Sequence, residues 1–300
     1  MIGIVDIGSN TIRLSCYKIR TNGDFECVIH KKETAGLAGY VDEKGKMTQE
    51  GIEKVIHTLQ DFQMLIQYMH LKEVYFFATA SIRNTINCKE IVQQIEQQTG
   101  YSIQVLSGQE EAICDFEGVN KENKIQNGLV IDIGGGSTEI VSFQNKKVNN
   151  AKSYKIGSLS MYKRFVRNIL PTKDEVNEIR KYTKKSLVEE KEEKCSSAYG
   201  VGGSIRAILR LYNLYYKMEE NNRELDCEKV RKLFKIYLND SQSLLEQMIK
   251  VAPERLHTLI PGLSILCTII KQYDLDKIVV SKNGVREGFL VRHVLEKEKC

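Results

Sequence analysis

The order of elements in this 300-residue chain predicts an α/β protein built of two similar halves. Three observations predict it. IVDIGSNTIRLS at 4–15 returns as VIDIGGGSTEIVS at 130–142, so a strand, an Asp-Ile-Gly loop and a second strand occur twice. After each copy, apolar runs of strand length alternate with amphipathic runs at helical spacing, the pattern of partly parallel sheets. The length suits two domains of about 100–200 residues, and with 3 prolines and no Ser/Pro-rich linker the junction reads as a structured hinge.

In the first copy Ile12, Leu14 and Cys16 share one face of the second strand, and Asn22-Gly23 signals a tight hairpin into a strand at 25–30. A long helix is expected over 48–70, where Ile52, Val55, Ile56, Leu59, Phe62, Ile66 and Met69 recur at helical spacing. Then come a strand at 74–78, a helix at 88–98 ended by Gly100, a strand at 103–106 and a helix at 109–117. In the second half, residues 144–147 form the hairpin turn, and Thr172 with Glu175 makes a capping box for a helix running to Lys191. Residues 198–199 lead through Gly200–Gly203 into a helix at 204–218. Helices at 228–238, 241–249 and 263–273, a strand at 278–280 and a last helix from Val285 to Glu298 complete the chain.

Composition narrows the class. With 42% hydrophobic and 28% charged residues, neither a disordered nor a fibrous chain is expected. The N-terminal MIGIVDIGSN has no basic segment and Asp6 breaks its apolar run, which argues against a signal peptide; no apolar stretch approaches the ~20 residues of a membrane span. Eight cysteines are scattered without a Cys-x-x-Cys pair, so they read as thiols of a reducing cytoplasm, not as metal ligands. A net charge of +5 is too mild to point to nucleic acid and fits a small polyanionic ligand equally well.

Chemistry concentrates in the two loops. Gly8-Ser9-Asn10-Thr11 and Gly134-Gly135-Gly136-Ser137-Thr138 offer backbone N–H groups and short polar side chains, and glycine lets the chain approach an anion closely. Each loop joins two strands and opens no helix, which excludes a Walker A loop and a dinucleotide fingerprint. A plain flexible turn would not account for the flanking Asp132, Ser137 and Glu139.

VDIGSN, ATASIRNTIN (78–87), SGQEEA (107–112), IDIGGGSTEIV (131–141), GVGGSIRA (200–207), PGLSILC (261–267) and KNGVREG (282–288) occur in this order. Together they resemble the exopolyphosphatase/guanosine pentaphosphate phosphatase family, over essentially the whole chain. The resemblance implies two ribonuclease H-like domains of the actin, sugar kinase and 70-kilodalton heat-shock superfamily around an interdomain cleft. The domains would be 1–120, joined by the C-terminal helix 285–300, and 121–284. It implies a phosphohydrolase that takes the terminal phosphate from inorganic polyphosphate or guanosine pentaphosphate, in the cytoplasm and as a homodimer, with no membrane or nucleic-acid partner.

Laid on matching positions, the resemblance makes Glu111 the base that activates water, with neighbouring Glu110 serving the helix dipole, and makes Arg83 a phosphate clamp. Gly8, Ser9, Asn10, Gly134, Gly135, Gly136 and Ser137 would cradle phosphates. Asp6, Asp132 and Glu139 would hold Mg²⁺ (or Mn²⁺), directly or through water. Gly202 and Gly203 lie in a strand-to-helix turn like the superfamily's adenosine motif; they either edge a nucleotide or simply allow close packing. Domain closure would then bring Glu111 of the first domain to the second domain's loop. Two rivals share the loops: a small-molecule kinase, for which no acceptor-side base is apparent, and a non-catalytic alarmone sensor, for which Glu111 would be superfluous. Long members of that family carry an additional helical C-terminal domain, so on this resemblance the extended basic channel for long polyphosphate is expected to be absent or built from a dimer.

Overall fold

A computed structural model describes residues 1–21, 23–71, 73–187 and 195–295. The chain divides into two compact units, Met1–Glu110 joined by residues from Arg292, and Glu111–Val291. The expected divisions lie at 120/121 and 284/285. The division at 110/111 falls inside a continuous helix, where no composition shift marks it.

The first unit contains β1 (Ile2–Ile7), β2 (Thr11–Ile19), β3 (Phe25–Thr34), α1 (Gln49–Tyr68), β4 (Glu73–Ala78), α2 (Ala80–Arg83), α3 (Cys88–Thr99), β5 (Ile103–Val105) and the first turn of α4 (Gly108–Asn123). Its sheet runs β3-β2-β1-β4-β5, with β1 antiparallel to β2 and parallel to β4. The apolar stripe of α1 packs Ile52, Val55, Ile56, Leu59 and Phe62 against Val5, Ile7, Leu14 and Cys16. Each large side chain so buried contributes about 1.5–3 kcal/mol. Thr48 caps α1 by accepting from Gly51 N at 3.3 Å. β3 continues to Thr34, beyond the expected His30, because pairing with β2 as far as Thr11↔Thr34 holds it without an apolar pattern. The hairpin signal at Asn22 lies outside the described residues.

The second unit contains the rest of α4, β6 (Gly128–Ile133), β7 (Thr138–Gln144), β8 (Lys147–Tyr154), α5 (Ser158–Phe165), α6 (Lys173–Leu187), β9 (Ser197–Val201) and α7 (Gly202–Tyr216). It continues with β10 (Glu224–Asp226), α8 (Cys227–Asn239), α9 (Gln242–Val251), α10 (Leu256–Tyr273), β11 (Lys277–Val280) and α11 (Val285–Leu290). Its sheet order is β10-β11-β9-β6-β7-β8. Read from β8, this repeats the first sheet strand for strand, with β10 added at the far edge. Both units thus have the ribonuclease H-like arrangement, an antiparallel three-strand meander continued by parallel strands.

Local chemistry explains most boundaries. Asn145 and Lys146 sit at φ 52° and 63°, as a tight hairpin requires. Thr172 N donates to Glu175 at 2.8 Å and Glu175 N to Thr172 Oγ1 at 3.3 Å, the expected capping box. The expected ends at Lys191 and Glu298 lie outside the described residues, and α11 passes into a π-helical turn over Val291–Leu295. Four further elements differ from expectation. α10 begins at Leu256 and runs through Pro261, since the loss of one helical bond is outweighed by burial of Leu259, Ile260, Leu263 and Leu266. α5 and β10 were not expected, and α4 extends to Asn123 instead of ending at 117. Glu122 explains that extension: it accepts from Ser281 Oγ at 2.7 Å and Lys282 N at 2.8 Å, and pairs with Arg223 at 2.8 Å.

Candidate functional site

The two repeated loops use the same hydrogen-bond scheme. In the first unit Gly8 N donates to Thr11 O at 3.1 Å; in the second, Gly134 N donates to Ser137 O at 2.9 Å. In both, the loop carbonyls are then consumed by the same unit. Asn10 O accepts from Ala35 N and Gly36 N at 3.1 and 3.0 Å, and Ser9 O accepts from Ala38 N at 3.1 Å. Gly134 O accepts from Ser158 N at 2.9 Å, while Gly135 O accepts from Leu159 N and Ser160 N at 3.0 and 2.9 Å. Among the described residues, no backbone bond is donated by the N–H groups of Ser9, Asn10, Gly135 or Gly136. Each loop is therefore pinned through its acceptors while donors remain for a ligand, a physical definition of an anion cradle.

The two hairpins also share a register. Asp6 pairs with Arg13, and Asp132 pairs with Glu139. Glu139 is 1% exposed and accepts from Ser153 Oγ at 2.6 Å. Burial, then the charges of Glu111 and Asp132, push its carboxyl well above the ordinary value; hydrogen bonds from the Ser153 and Ser137 side chains oppose the shift without reversing it. Ser137, expected to touch phosphate, is 2% exposed and turns its hydroxyl to Glu139.

Glu111 belongs to the second unit, not the first as expected, and shares the electrostatic field of Glu139. Its neighbour Glu110 closes a capping box with Ser107, at 2.7 Å from Ser107 N and 3.1 Å between Glu110 N and Ser107 Oγ. Those bonds hold the Glu110 carboxyl below its ordinary value. The cap thus falls to Glu110, and the 8%-exposed Glu111 is left to serve the acidic group.

Gly202 and Gly203 are packing positions. Gly202 has φ +82°, and a Cβ there would overlap Asp132 Oδ1 and lie 2.9 Å from its Cγ. A Cβ on Gly203 would lie 2.7 Å from Arg255 Cζ. The turn is therefore the floor on which the Asp132 carboxylate and the Arg255 guanidinium rest. Arg206, one turn further along α7, is affected first by burial and then by Arg286, with Arg255 acting in the same direction; Asp132 and Glu287 oppose them. Arg206 thus lies in the field of two further guanidinium groups and of Asp132, with Arg255 8% and Arg286 9% exposed.

Arg83 is half-buried on α2 and donates to Leu106 O at 3.0 Å. Asp6 is 8% exposed at the end of β1. Among the described residues no group of three or more His, Cys, Asp and Glu is arranged to hold a metal ion, so the second unit offers Asp132 and Glu139 as a pair of oxygen donors. The spacing of the sequence gave no sign of Ser153 or Arg255; Arg206 and Arg286 lay inside the quoted GVGGSIRA and KNGVREG stretches. Among the described residues no helix is long and apolar enough to cross a membrane.

Residues 17–297 match the Ppx/GppA phosphatase family. Exopolyphosphatase 1 of Mycobacterium tuberculosis is 23% identical over 300 residues, covering 97% of this chain and 87% of that protein. A putative exopolyphosphatase of Haemophilus influenzae is 25% identical over 296 residues, covering 96% and 90%. Among solved structures, the Aquifex aeolicus member of the Ppx/GppA family superposes with a TM-score of 0.80 at 25% identity, covering 99% of this chain and 98% of that one. An exopolyphosphatase from Cytophaga hutchinsonii shares the fold at a TM-score of 0.87 and 20% identity, covering 98% of each chain.

Proposed function

Because this chain belongs to the Ppx/GppA phosphatase family, we propose that it hydrolyses the terminal phosphoanhydride bond of inorganic polyphosphate, with guanosine pentaphosphate as a second substrate of the same chemistry. The carrying observation is the loop at 134–137, whose Gly134, Gly135 and Ser137 carbonyls are tied down and whose Gly135 and Gly136 N–H groups donate no backbone bond among the described residues.

In this reading Glu111 orients a water molecule and takes its proton as the water oxygen bonds to the terminal phosphorus. The bridging P–O bond breaks, and the shortened chain leaves with the bridging oxygen. The amides of Gly135 and Gly136 take up charge on the transferring group, while Arg206, Arg255 and Arg286 receive the anionic remainder. Ser137 and Ser153 fix the Glu139 carboxyl; within the first unit, Gly8, Ser9, Asn10 and Arg83 keep their expected phosphate-binding role as part of the proposal.

Mg²⁺ fits the donor set. Asp132 and Glu139 are hard oxygen donors, and the mutual repulsion of Glu111, Asp132 and Glu139 is what a bound cation relieves. With two protein carboxylates, the remaining positions would be filled by water and substrate oxygens, and the ion would neutralise phosphate charge. Phosphate release from polyphosphate and from guanosine pentaphosphate, measured for the protein and for Glu111→Gln, tests the proposal. Release from neither substrate by the unaltered protein would refute it.

A further inference from the structure

The structure points to a second anion site in the groove between α6 and α10, distinct from the loop at 134–137. We propose that it binds a small molecule bearing adjacent phosphates, as a regulatory ligand. The groove is a cavity of about 620 Å³ whose charged lining is Arg180, Lys181, Lys184, Lys271, Asp174 and Glu178, a surplus of two positive charges. Only one ion pair forms within this lining among the described residues, Lys181 to Glu178 at 2.7 Å. Lys184 and Lys271 are exposed, and Arg180 is half-buried with its guanidinium 5.9 Å from the Phe234 ring centroid. Among the described residues, these three cations have no carboxylate partner.

A half-buried guanidinium held over an aromatic ring is a planar fork of donors facing a cavity large enough for a metabolite. Phosphate suits such a fork bidentately, and adjacent phosphates would also engage the two lysines. Asp174 complements the first turn of α6, at the N-terminal end of the helix that carries Arg180 and Lys184.

The groove is also mechanically joined to the loop. Lys271 and Thr268 line it from α10. On the same helix, a Cβ added at Gly262 would lie 3.3 Å from Ser204 Cβ and 3.5 Å from Ser158 Cβ. Ser158 N in turn donates to Gly134 O. Nine residues of rigid helix, about 13 Å, therefore connect the cavity to the segment that pins the loop's carbonyls. A ligand drawing α6 and α10 together would shift that segment, so the site would tune the activity proposed above.

Free nucleotides and polyphosphate chains both present adjacent phosphates, so the probes are ATP and tripolyphosphate. Titration calorimetry on full-length Glu111→Gln is compared with the same protein also carrying Arg180→Gln, Lys184→Gln and Lys271→Gln. Acetylation footprinting of Lys184 and Lys271 on Glu111→Gln runs beside it. The expected result is that at least one probe shields both lysines and loses one binding event, weakened about tenfold or more, when the cations are removed. Shielding by ATP alone identifies a nucleotide-type ligand, and shielding by tripolyphosphate alone a polyphosphate. Unshielded lysines with superimposable titrations would overturn the proposal. Binding is read without turnover, so this result is separate from any failure of the hydrolase reading.

Discussion

Replacing Gly202 by alanine tests the link between the β9–α7 turn and the acidic group. The residue sits at φ +82°, where an L side chain costs about 1–2 kcal/mol. The new methyl would also overlap Asp132 Oδ1 and stand 2.9 Å from Asp132 Cγ. The carboxylate is short, so it must leave its rotamer, at about 0.5–1.5 kcal/mol more. The sum is about 1.5–3.5 kcal/mol. For a unit spanning Glu111–Val291, that lowers the midpoint of thermal unfolding by about 3–14 °C. Activity should fall further than stability explains, because Asp132 no longer faces its partners. Calorimetry and phosphate-release kinetics below the unfolding transition would read both effects. Gly203→Ala is the internal control: the residue lacks the positive φ, and its obstacle is the tip of the long Arg255 side chain, so the midpoint should move less. A Gly202→Ala protein with unchanged midpoint and unchanged kcat would refute the reasoning.

Other perturbations follow from the same geometry. Glu111→Gln should lower kcat about 10²–10⁴-fold with little change in unfolding temperature, measured by phosphate release and calorimetry. Mg²⁺ should raise the unfolding temperature of the protein but not of Glu139→Gln; equal shifts would remove Glu139 from the metal site. Gly288→Ala would drive a methyl into the Cys114 backbone, with Cys114 Cα only 2.9 Å away, and should destabilise the second unit by about 3 kcal/mol in denaturant unfolding. At Glu122, burial raises the carboxyl, yet Ser281, Asn283 and Arg223 together hold it below its ordinary value. A depressed folded value stabilises above the unfolded pKa, so the advantage over Glu122→Gln should be full above pH about 5 and vanish on acidification through the folded value, as read by unfolding at each pH.

How much of this was legible in the sequence depended on whether the cause was local. The Thr172–Glu175 box and the apolar stripe of α1 were readable because their partners lie within one or two turns. The repeated loop was readable because a doubled pattern is itself a signal. α5 was not: its N-terminus is held by the carbonyls of Gly134 and Gly135, more than twenty positions away. The start of α10 was hidden by Pro261, where tertiary burial overrides a breaker. Arg206, Arg255 and Arg286 come from three separate segments, and nothing in their linear surroundings announces that they converge. The Ser137 hydroxyl bond to Glu139 was hidden for a related reason: its partner is brought to it by the pairing of β6 with β7 and by burial, not by a local pattern.

The pinned loop changes what mutation can reach. A donor that belongs to the peptide bond survives replacement of almost any side chain, so the loop's binding power is not encoded in the loop's own letters. It is encoded in whatever occupies the carbonyls: Ala35, Gly36 and Ala38 in one unit, Ser158 to Ser160 in the other. On the proposed reading, selection therefore falls on bystanders that never meet the ligand.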